Sequence, residues 1–183
     1  DLYERLTSAF PEVLFESCAS GGGRFDPGML YYAPQGWVSD DSDAVERLKI
    51  QYGTSMCYPL SSMGSHVSVI PNHQVFRNTP LHTRANVAYF GTFGYELDLN
   101  KLSDAEIEEV KAQIRFMKEY RELLQFGTFY RLKSPFDGNE TVWMVVSEDK
   151  SKALVGYYRV LNGVNLPYSC VKLQGLDPDK LYE

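Results

Sequence analysis

The chain has 183 residues, of which 44% are hydrophobic and 23% charged, and its net charge at pH 7 is −6. This composition is typical of a globular protein with a sizeable core, and it excludes a disordered or fibrous chain. The acidic balance, without a block of Lys or Arg, argues against nucleic acid or an anionic membrane as partner.

Helical and extended patterns alternate through the first 127 residues. Leu2, Leu6 and Phe10 recur at the spacing of one helix face. Short apolar runs that indicate strands lie at 13–17, 36–40, 55–59 and 93–99, and helical patterns lie at 42–52, 79–91 and 103–127. Because strand and helix alternate four times, we expect parallel strands joined by helical crossovers.

Helix ends are marked by local sequence signals. Thr79 followed by Pro80 predicts the N-cap and first turn of one helix. Ser103, with Glu106 three residues later, predicts a capping box for the longest helix, which we expect to end before Gly127.

The pattern changes after Gly127. Apolar runs at 128–132, 142–149, 152–160 and 170–176 are separated by turn sequences such as SPFDGNE, which predicts an antiparallel sheet. We therefore expect two domains, 1–127 and 128–183. Both ends of the chain lie within apolar patterns, so we expect it to be an internal piece of a larger protein.

The stretch FESCASGGGRFD, residues 15–26, places small residues directly after a predicted buried strand. In a parallel α/β barrel, functional side chains lie at the carboxyl ends of the strands. Glycines there leave room and let the backbone approach a ligand. The stretch lacks the Lys-Ser/Thr pair of a phosphate loop. A tight turn that only tolerates glycine remains the alternative.

The segment SDDSDA, residues 39–44, contains three aspartates. The first of them, Asp40, is also the last residue of the apolar run GWVSD. Asp43, with Glu46 three residues later, fits a helix cap, and Asp41 could serve the helix dipole. Asp40 ends the apolar run, so its carboxylate can point into the barrel mouth, and it is the best candidate for acid/base chemistry. Trp37 either packs in the core or offers an apolar ring face that suits sugar C–H groups.

Cys18, Cys57 and Cys170 make an odd count without zinc-type spacing. They argue against a disulfide framework and for a reducing compartment, so we expect a cytoplasmic protein. The chain has no apolar run long enough to span a membrane and no signal-peptide pattern at its start. The histidines also lack metal-ligand spacing, so no metal is expected.

Several long words carry a resemblance to a known family: FESCASGGGRFDPGMLYYAPQ, SDD-x-DA-x-ERLKIQYGTS and NVAYFG-x-FGYELDL. From about Phe15 to Leu99 the chain resembles bacterial retaining α-galactosidases that act on melibiose and raffinose-type sugars. The resemblance implies an α/β fold, the C-terminal half of a (β/α)8 TIM barrel followed by the start of an antiparallel β-sandwich domain. It implies α-galactoside oligosaccharides as substrates, no cofactor, and assembly into a homo-oligomer, commonly a tetramer.

The resemblance also implies roles for individual residues. Asp40 matches the family's general acid/base, and Cys18 and Gly21 of the C-x-S-G word match its sugar contacts; Trp37 is our further candidate for substrate binding. A retaining glycosidase needs a second carboxylate about 5–5.5 Å from the first. The family's nucleophile lies in a K-W-D-x-N word that this sequence lacks, so we expect the chain alone to be inactive.

Two other functions stay open at this point. Cys18 with His66 or His73 could form the thiolate and imidazole pair of a cysteine-nucleophile hydrolase, although no third orienting group is evident. A non-catalytic galactoside-binding or oligomerisation module would fit the missing nucleophile.

Overall fold

The computed structural model describes residues 1–21, 23 and 25–182. Gly22 and Arg24 of the glycine loop lie outside the described residues. The helices are α1 Leu2–Ala9, α2 Pro27–Tyr32, α3 Ala44–Thr54, α4 Leu81–Ala88 and α5 Asp104–Phe126. The strands are β1 Glu16–Ser17, β2 Gln35–Gly36, β3 Gly64–Ser68, β4 Thr92–Glu96, β5 Thr128–Lys133, β6 Glu140–Val146 and β7 Ala153–Arg159. Within the described part, no helix is long and apolar enough to cross a membrane.

The first four strands run parallel. β1 pairs with β2, and β3 pairs with β4. A parallel bridge between Gly36 and Met63 joins the two pairs. Helices α3 and α4 connect β2 to β3 and β3 to β4, as expected for crossovers between parallel strands. The prediction of parallel strands with helical crossovers is confirmed.

The core lies between these strands and the helices. From β3, Val67 points into the core and is fully buried, and Ser65 donates to Gln51 of α3 (2.9 Å). Val110 and Met117 place the apolar stripe of α5 in the same cluster. Burying each such side chain contributes roughly 1.5–3 kcal/mol, so this layer holds the crossover helices against the strands.

The antiparallel sheet has the order β5-β6-β7. Trp143 of the central strand is fully buried and lies 5.3 Å, ring to ring, from Phe90, which follows α4. The hydroxyl of Tyr158 donates to the carbonyl of Asn86 (2.6 Å). The sheet therefore shares one apolar core with the parallel strands.

The predicted helix caps are mostly confirmed. The amide of Ser103 donates to Glu106 (2.9 Å), and the Ser103 hydroxyl accepts from the Glu106 amide (3.4 Å), which completes the capping box. The prediction of Thr79 as an N-cap was wrong, because Pro80 occupies the N-cap position of α4 without a side-chain hydrogen bond, and the Thr79 hydroxyl has no partner among the described residues.

Several element predictions differ from the structure. The strands predicted at 13–17 and 36–40 are only Glu16–Ser17 and Gln35–Gly36, so Asp40 follows β2 by four residues and does not itself end a strand. Residues 55–59, predicted as a strand, form turns after α3. The third parallel strand is Gly64–Ser68, which was not predicted because its residues are mostly small and polar and form no apolar run. Residues 170–176 form no strand in the described chain. Helix α2 was missed, although Asp26 caps it by accepting from the Met29 amide (2.9 Å) and Pro27 begins it.

Candidate active site

Two segments meet near the ends of β1 and β2: the glycine loop, residues 18–24, and the aspartate segment, residues 39–44. Gly21 of the glycine loop packs against the backbone of the aspartate segment. Gly21 has a φ of +65°, and a Cβ at this position would lie 2.5 Å from the backbone nitrogen of Asp40 and 3.1 Å from the carbonyl carbon of Ser39. Glycine is needed for the left-handed backbone and for the close approach. The structure therefore brings Gly21 and Asp40 together at the carboxyl ends of β1 and β2.

Asp43 is a structural residue. Its buried carboxylate accepts from the amides of Val45 (3.0 Å) and Glu46 (3.1 Å) and so caps α3. The same carboxylate forms an ion pair with Arg77, whose guanidinium also contacts Glu46 at 3.2 Å. The predicted capping role is confirmed, and the ion pair additionally ties the loop between β3 and α4 to the aspartate segment.

Asp41 and Ser42 are also held by local hydrogen bonds. The Asp41 carboxylate accepts from the Asp43 amide (3.0 Å), and the Asp41 amide donates to the Ser39 hydroxyl (3.1 Å). Buried Ser42 accepts from Asn72 (3.2 Å) through its hydroxyl. These contacts fix the course of the backbone immediately after Asp40.

Asp40 differs from both neighbouring aspartates. It is exposed, and its carboxylate makes no hydrogen bond or ion pair with the described part of the chain. Its backbone is nevertheless held from two sides, by Gly21 and by the Ser39-to-Asp43 turns. An exposed carboxylate on a fixed backbone is suited to proton transfer with a bound molecule.

A group of residues from the strands and the segment after β2 surrounds His66. We call this the polar face: Glu16, Trp37, His66, Gly94 and Glu96. The Trp37 and His66 rings stack with centroids 4.6 Å apart, and His66 Nδ1 lies 3.9 Å from a Glu96 carboxylate oxygen. Burial lowers the pKa of His66, although Glu96 and Glu16 oppose that shift.

Cys18 follows β1 at the same edge and is exposed. Its thiol makes no hydrogen bond to His66 or His73 within the described residues, so the thiolate and imidazole pair of the cysteine-nucleophile hypothesis is not assembled. None of the three cysteines in the described chain forms a disulfide. No cluster of His, Cys, Asp and Glu in that part of the chain could hold a metal ion.

Sequence reasoning missed Arg47, Asn72 and Arg77. Arg47 lies on the buried face of α3 with Ala44, Leu48 and Gln51. A charged residue at an apolar-face position of an amphipathic helix was a signal that could have identified it. Asn72 and Arg77 lie in a loop, where no periodic pattern marks them.

Comparison with known families gives two matches. The melibiase family model matches residues 1–127, and the model of the glycosyl hydrolase family 36 C-terminal domain matches residues 140–183. The chain is 61% identical over 180 residues to α-galactosidase AgaA of Geobacillus stearothermophilus. It is 51% identical over 183 residues to an α-galactosidase of Lactobacillus acidophilus. These matches cover 98% and 100% of this chain but 25% of each relative.

Solved structures give the same result. A variant of AgaA in complex with raffinose superposes with a TM-score of 0.94 at 60% identity, covering 96% of this chain and 24% of that chain. The galactosidase domain of an α-galactosidase-sucrose kinase superposes with a TM-score of 0.95 at 50% identity, covering 98% and 25%. The chain thus spans about a quarter of the length of the relatives it matches.

Proposed function

Since this chain belongs to the melibiase family, we propose that it acts within a longer retaining α-galactosidase that hydrolyses terminal α-D-galactosyl residues of oligosaccharides such as melibiose and raffinose. The relatives are named α-galactosidases, and one was solved with raffinose and another variant with stachyose. The exposed carboxylate of Asp40 at the shared strand edge is the observation that carries the proposal for this chain.

The proposed architecture has two parts. Residues 1–127 supply units five to eight of a (β/α)8 barrel, and residues 128–183 begin a β-sandwich domain. The parallel order of β1 to β4 and the crossovers α3 and α4 support the first assignment, and the antiparallel β5-β6-β7 sheet supports the second. In such a barrel the polar face would line the interior, and Cys18, Gly21 and Asp40 would lie at its mouth.

In the proposed mechanism Asp40 is the general acid and base. In the first step its carboxylic acid donates a proton to the glycosidic oxygen as the aglycone leaves. In the second step its carboxylate takes a proton from the water that attacks the galactosyl-enzyme. Asp41 and Asp43 are committed to backbone and ion-pair contacts, which favours Asp40 for this role.

The other residues proposed for the site bind the sugar. Cys18 would contribute shape and a weak hydrogen bond at the pocket wall, Gly21 would allow close backbone approach, and Trp37 would offer part of its ring. The nucleophilic carboxylate would come from another part of the protein. We further propose a cytoplasmic homo-oligomer, such as a tetramer, on the basis of cysteine usage and family resemblance.

We expect the full-length protein to release galactose from melibiose as the α-anomer first, because two successive displacements retain configuration. Proton NMR of the fresh product distinguishes the anomers. Residues 1–183 alone should release none, because they lack the nucleophile. A β-anomer as first product would refute the retaining mechanism, and turnover by residues 1–183 alone would refute the assignment of roles. Galactose binding without turnover by the full-length protein would favour a binding module.

Substitutions of Cys18 distinguish a residue that only contacts the sugar from a catalytic nucleophile. Cys18→Ser keeps the size and a hydrogen-bonding group, so we expect appreciable activity on melibiose. Cys18→Leu adds bulk at the exposed strand end and should raise the Ki for galactose. Steady-state kinetics of both full-length variants measures this. Complete inactivity of the folded serine variant would support the cysteine-nucleophile hypothesis instead.

A further inference from the structure

Arg47 is a buried cation with few partners. It is 2% exposed, its Nε donates to Gln51 (3.2 Å), and its Nη2 donates to the carbonyl of Gly64. Its Nη1 is buried without a hydrogen-bond partner in the described part of the chain. Burying a charge without an ion pair costs free energy of folding. The contacts that offset this cost therefore indicate the role of the Arg47 guanidinium.

Besides these two hydrogen bonds, the guanidinium contacts the ring of Trp37. The guanidinium carbon of Arg47 lies 5.1 Å from the indole centroid, within range of a cation–π interaction. Gly64 contacts both side chains. Its carbonyl accepts a hydrogen bond from Arg47, and a Cβ at position 64 would lie 2.9 Å from Cε3 of Trp37. Arg47, Gly64 and Trp37 thus form one packed unit between α3, β3 and the segment that leads to Asp40.

The surrounding charges keep Arg47 cationic. Burial lowers its pKa to about 10, while the carboxylates of Asp41 and Glu96 act in the opposite direction. A group with this pKa is protonated at neutral pH, so the cation–π contact is present under ordinary conditions. The two carboxylates that raise the pKa of Arg47 belong to the residue after Asp40 and to the polar face.

We propose that Arg47 is a positioning residue that holds the indole of Trp37 in the orientation needed for galactose binding next to Asp40. The inference rests on the proposed function, since Trp37 is itself a proposed sugar contact. The guanidinium carbon lies over the ring, while two of the guanidinium nitrogens donate to Gln51 and Gly64. A lysine could keep the charge and one hydrogen bond, but it has no plane to pack on the indole.

Arg47→Lys in the full-length protein tests the proposal. We expect the Ki for galactose to rise about tenfold, with a much smaller change in kcat, because a single ammonium cannot replace the contacts of the guanidinium with Gln51, Gly64 and the indole at once. Arg84→Lys is the matched control. Arg84 is also a buried arginine on a crossover helix, bonded to the carbonyls of Thr79 (2.9 Å) and Ser68. The control should lower Tm to a similar extent and leave the Ki unchanged.

A double substitution shows whether Arg47 acts through the ring. In a Trp37→Leu background, Arg47→Lys should have no further effect on galactose binding. A purely structural arginine would lower Tm in both backgrounds and change the Ki in neither, and that outcome would overturn the proposal. Equal increases in Ki with and without the ring would also overturn it.

Failure of the proposed function is distinguishable from failure of this inference. If the unsubstituted full-length protein releases no galactose from melibiose, the catalytic proposal fails. Galactose binding measured by calorimetry needs no turnover, so the comparison of Arg47→Lys with Arg84→Lys still decides the positioning role. Absence of galactose binding by the unsubstituted protein would overturn both.

Discussion

Asp40→Ala in the full-length protein is expected to lower kcat/KM for melibiose by about 10³-fold, within the usual contribution of a general acid. The sugar leaving group of melibiose needs a proton, and Asp40 has the exposed carboxylate in the aspartate segment. An aryl galactoside with an activated leaving group needs no proton in the first step, so its galactosyl-enzyme should still form. Steady-state and burst kinetics on the two substrates measure the difference.

Added azide sharpens this test. The galactosyl-enzyme should accumulate in Asp40→Ala because no base activates water, and azide attacks without a base. We therefore expect azide to restore turnover of the aryl galactoside and to yield α-galactosyl azide. Asp41→Asn is the matched control, since it retains the oxygen that accepts from the Asp43 amide, and it should keep most of the activity. Equal losses on both substrates, with Tm unchanged and no azide product, would contradict the role of Asp40.

Gly21→Ala is expected to lower kcat/KM for melibiose by about 100-fold, because displacing a catalytic group by about 1 Å costs that much. The added Cβ would lie 2.5 Å from the backbone nitrogen of Asp40, and no flexible side chain is available to move aside. The left-handed φ of +65° adds a backbone cost of roughly 1–2 kcal/mol. The loop or the aspartate segment must therefore shift.

Substitutions at two other glycines distinguish the cost of the left-handed backbone from the effect of the contact with Asp40. Gly175 has a φ of +73° and contacts Tyr130, so Gly175→Ala carries a similar backbone cost at the C-terminal segment. Gly138 has no atom within 4 Å of a Cβ at its position. We expect Gly175→Ala to lower Tm with kcat/KM preserved, and Gly138→Ala to change neither. Full activity of Gly21→Ala would show that the contact with Asp40 is not required for catalysis.

Local signals in the sequence were sufficient for several structural assignments. The Ser103 and Glu106 capping box, the Asp43 cap and the apolar stripe of α5 all depend on residues within a few positions of one another. The separation of Asp40 from Asp43 was also predictable, because a helix cap requires a residue just before the helix. Local chemistry acts over one or two turns, and a single sequence displays it directly.

Other features depend on contacts between distant segments, and only the tertiary structure decided them. Strand β3 is polar and rich in small residues because Gly64 packs against Trp37 and Ser65 bonds to Gln51, so its sequence shows no apolar run. The contact of Gly21 with Asp40 follows from the parallel pairing of β1 with β2. The amino-acid sequence alone therefore determined most of the alternation of elements, the caps of α3 and α5 and the candidate acid. The pairing of β1 with β2 places Gly21 against Asp40, and the packing of α3 places Arg47 over Trp37. Only the tertiary structure shows these contacts, because no local periodicity in the sequence connects the residues that make them.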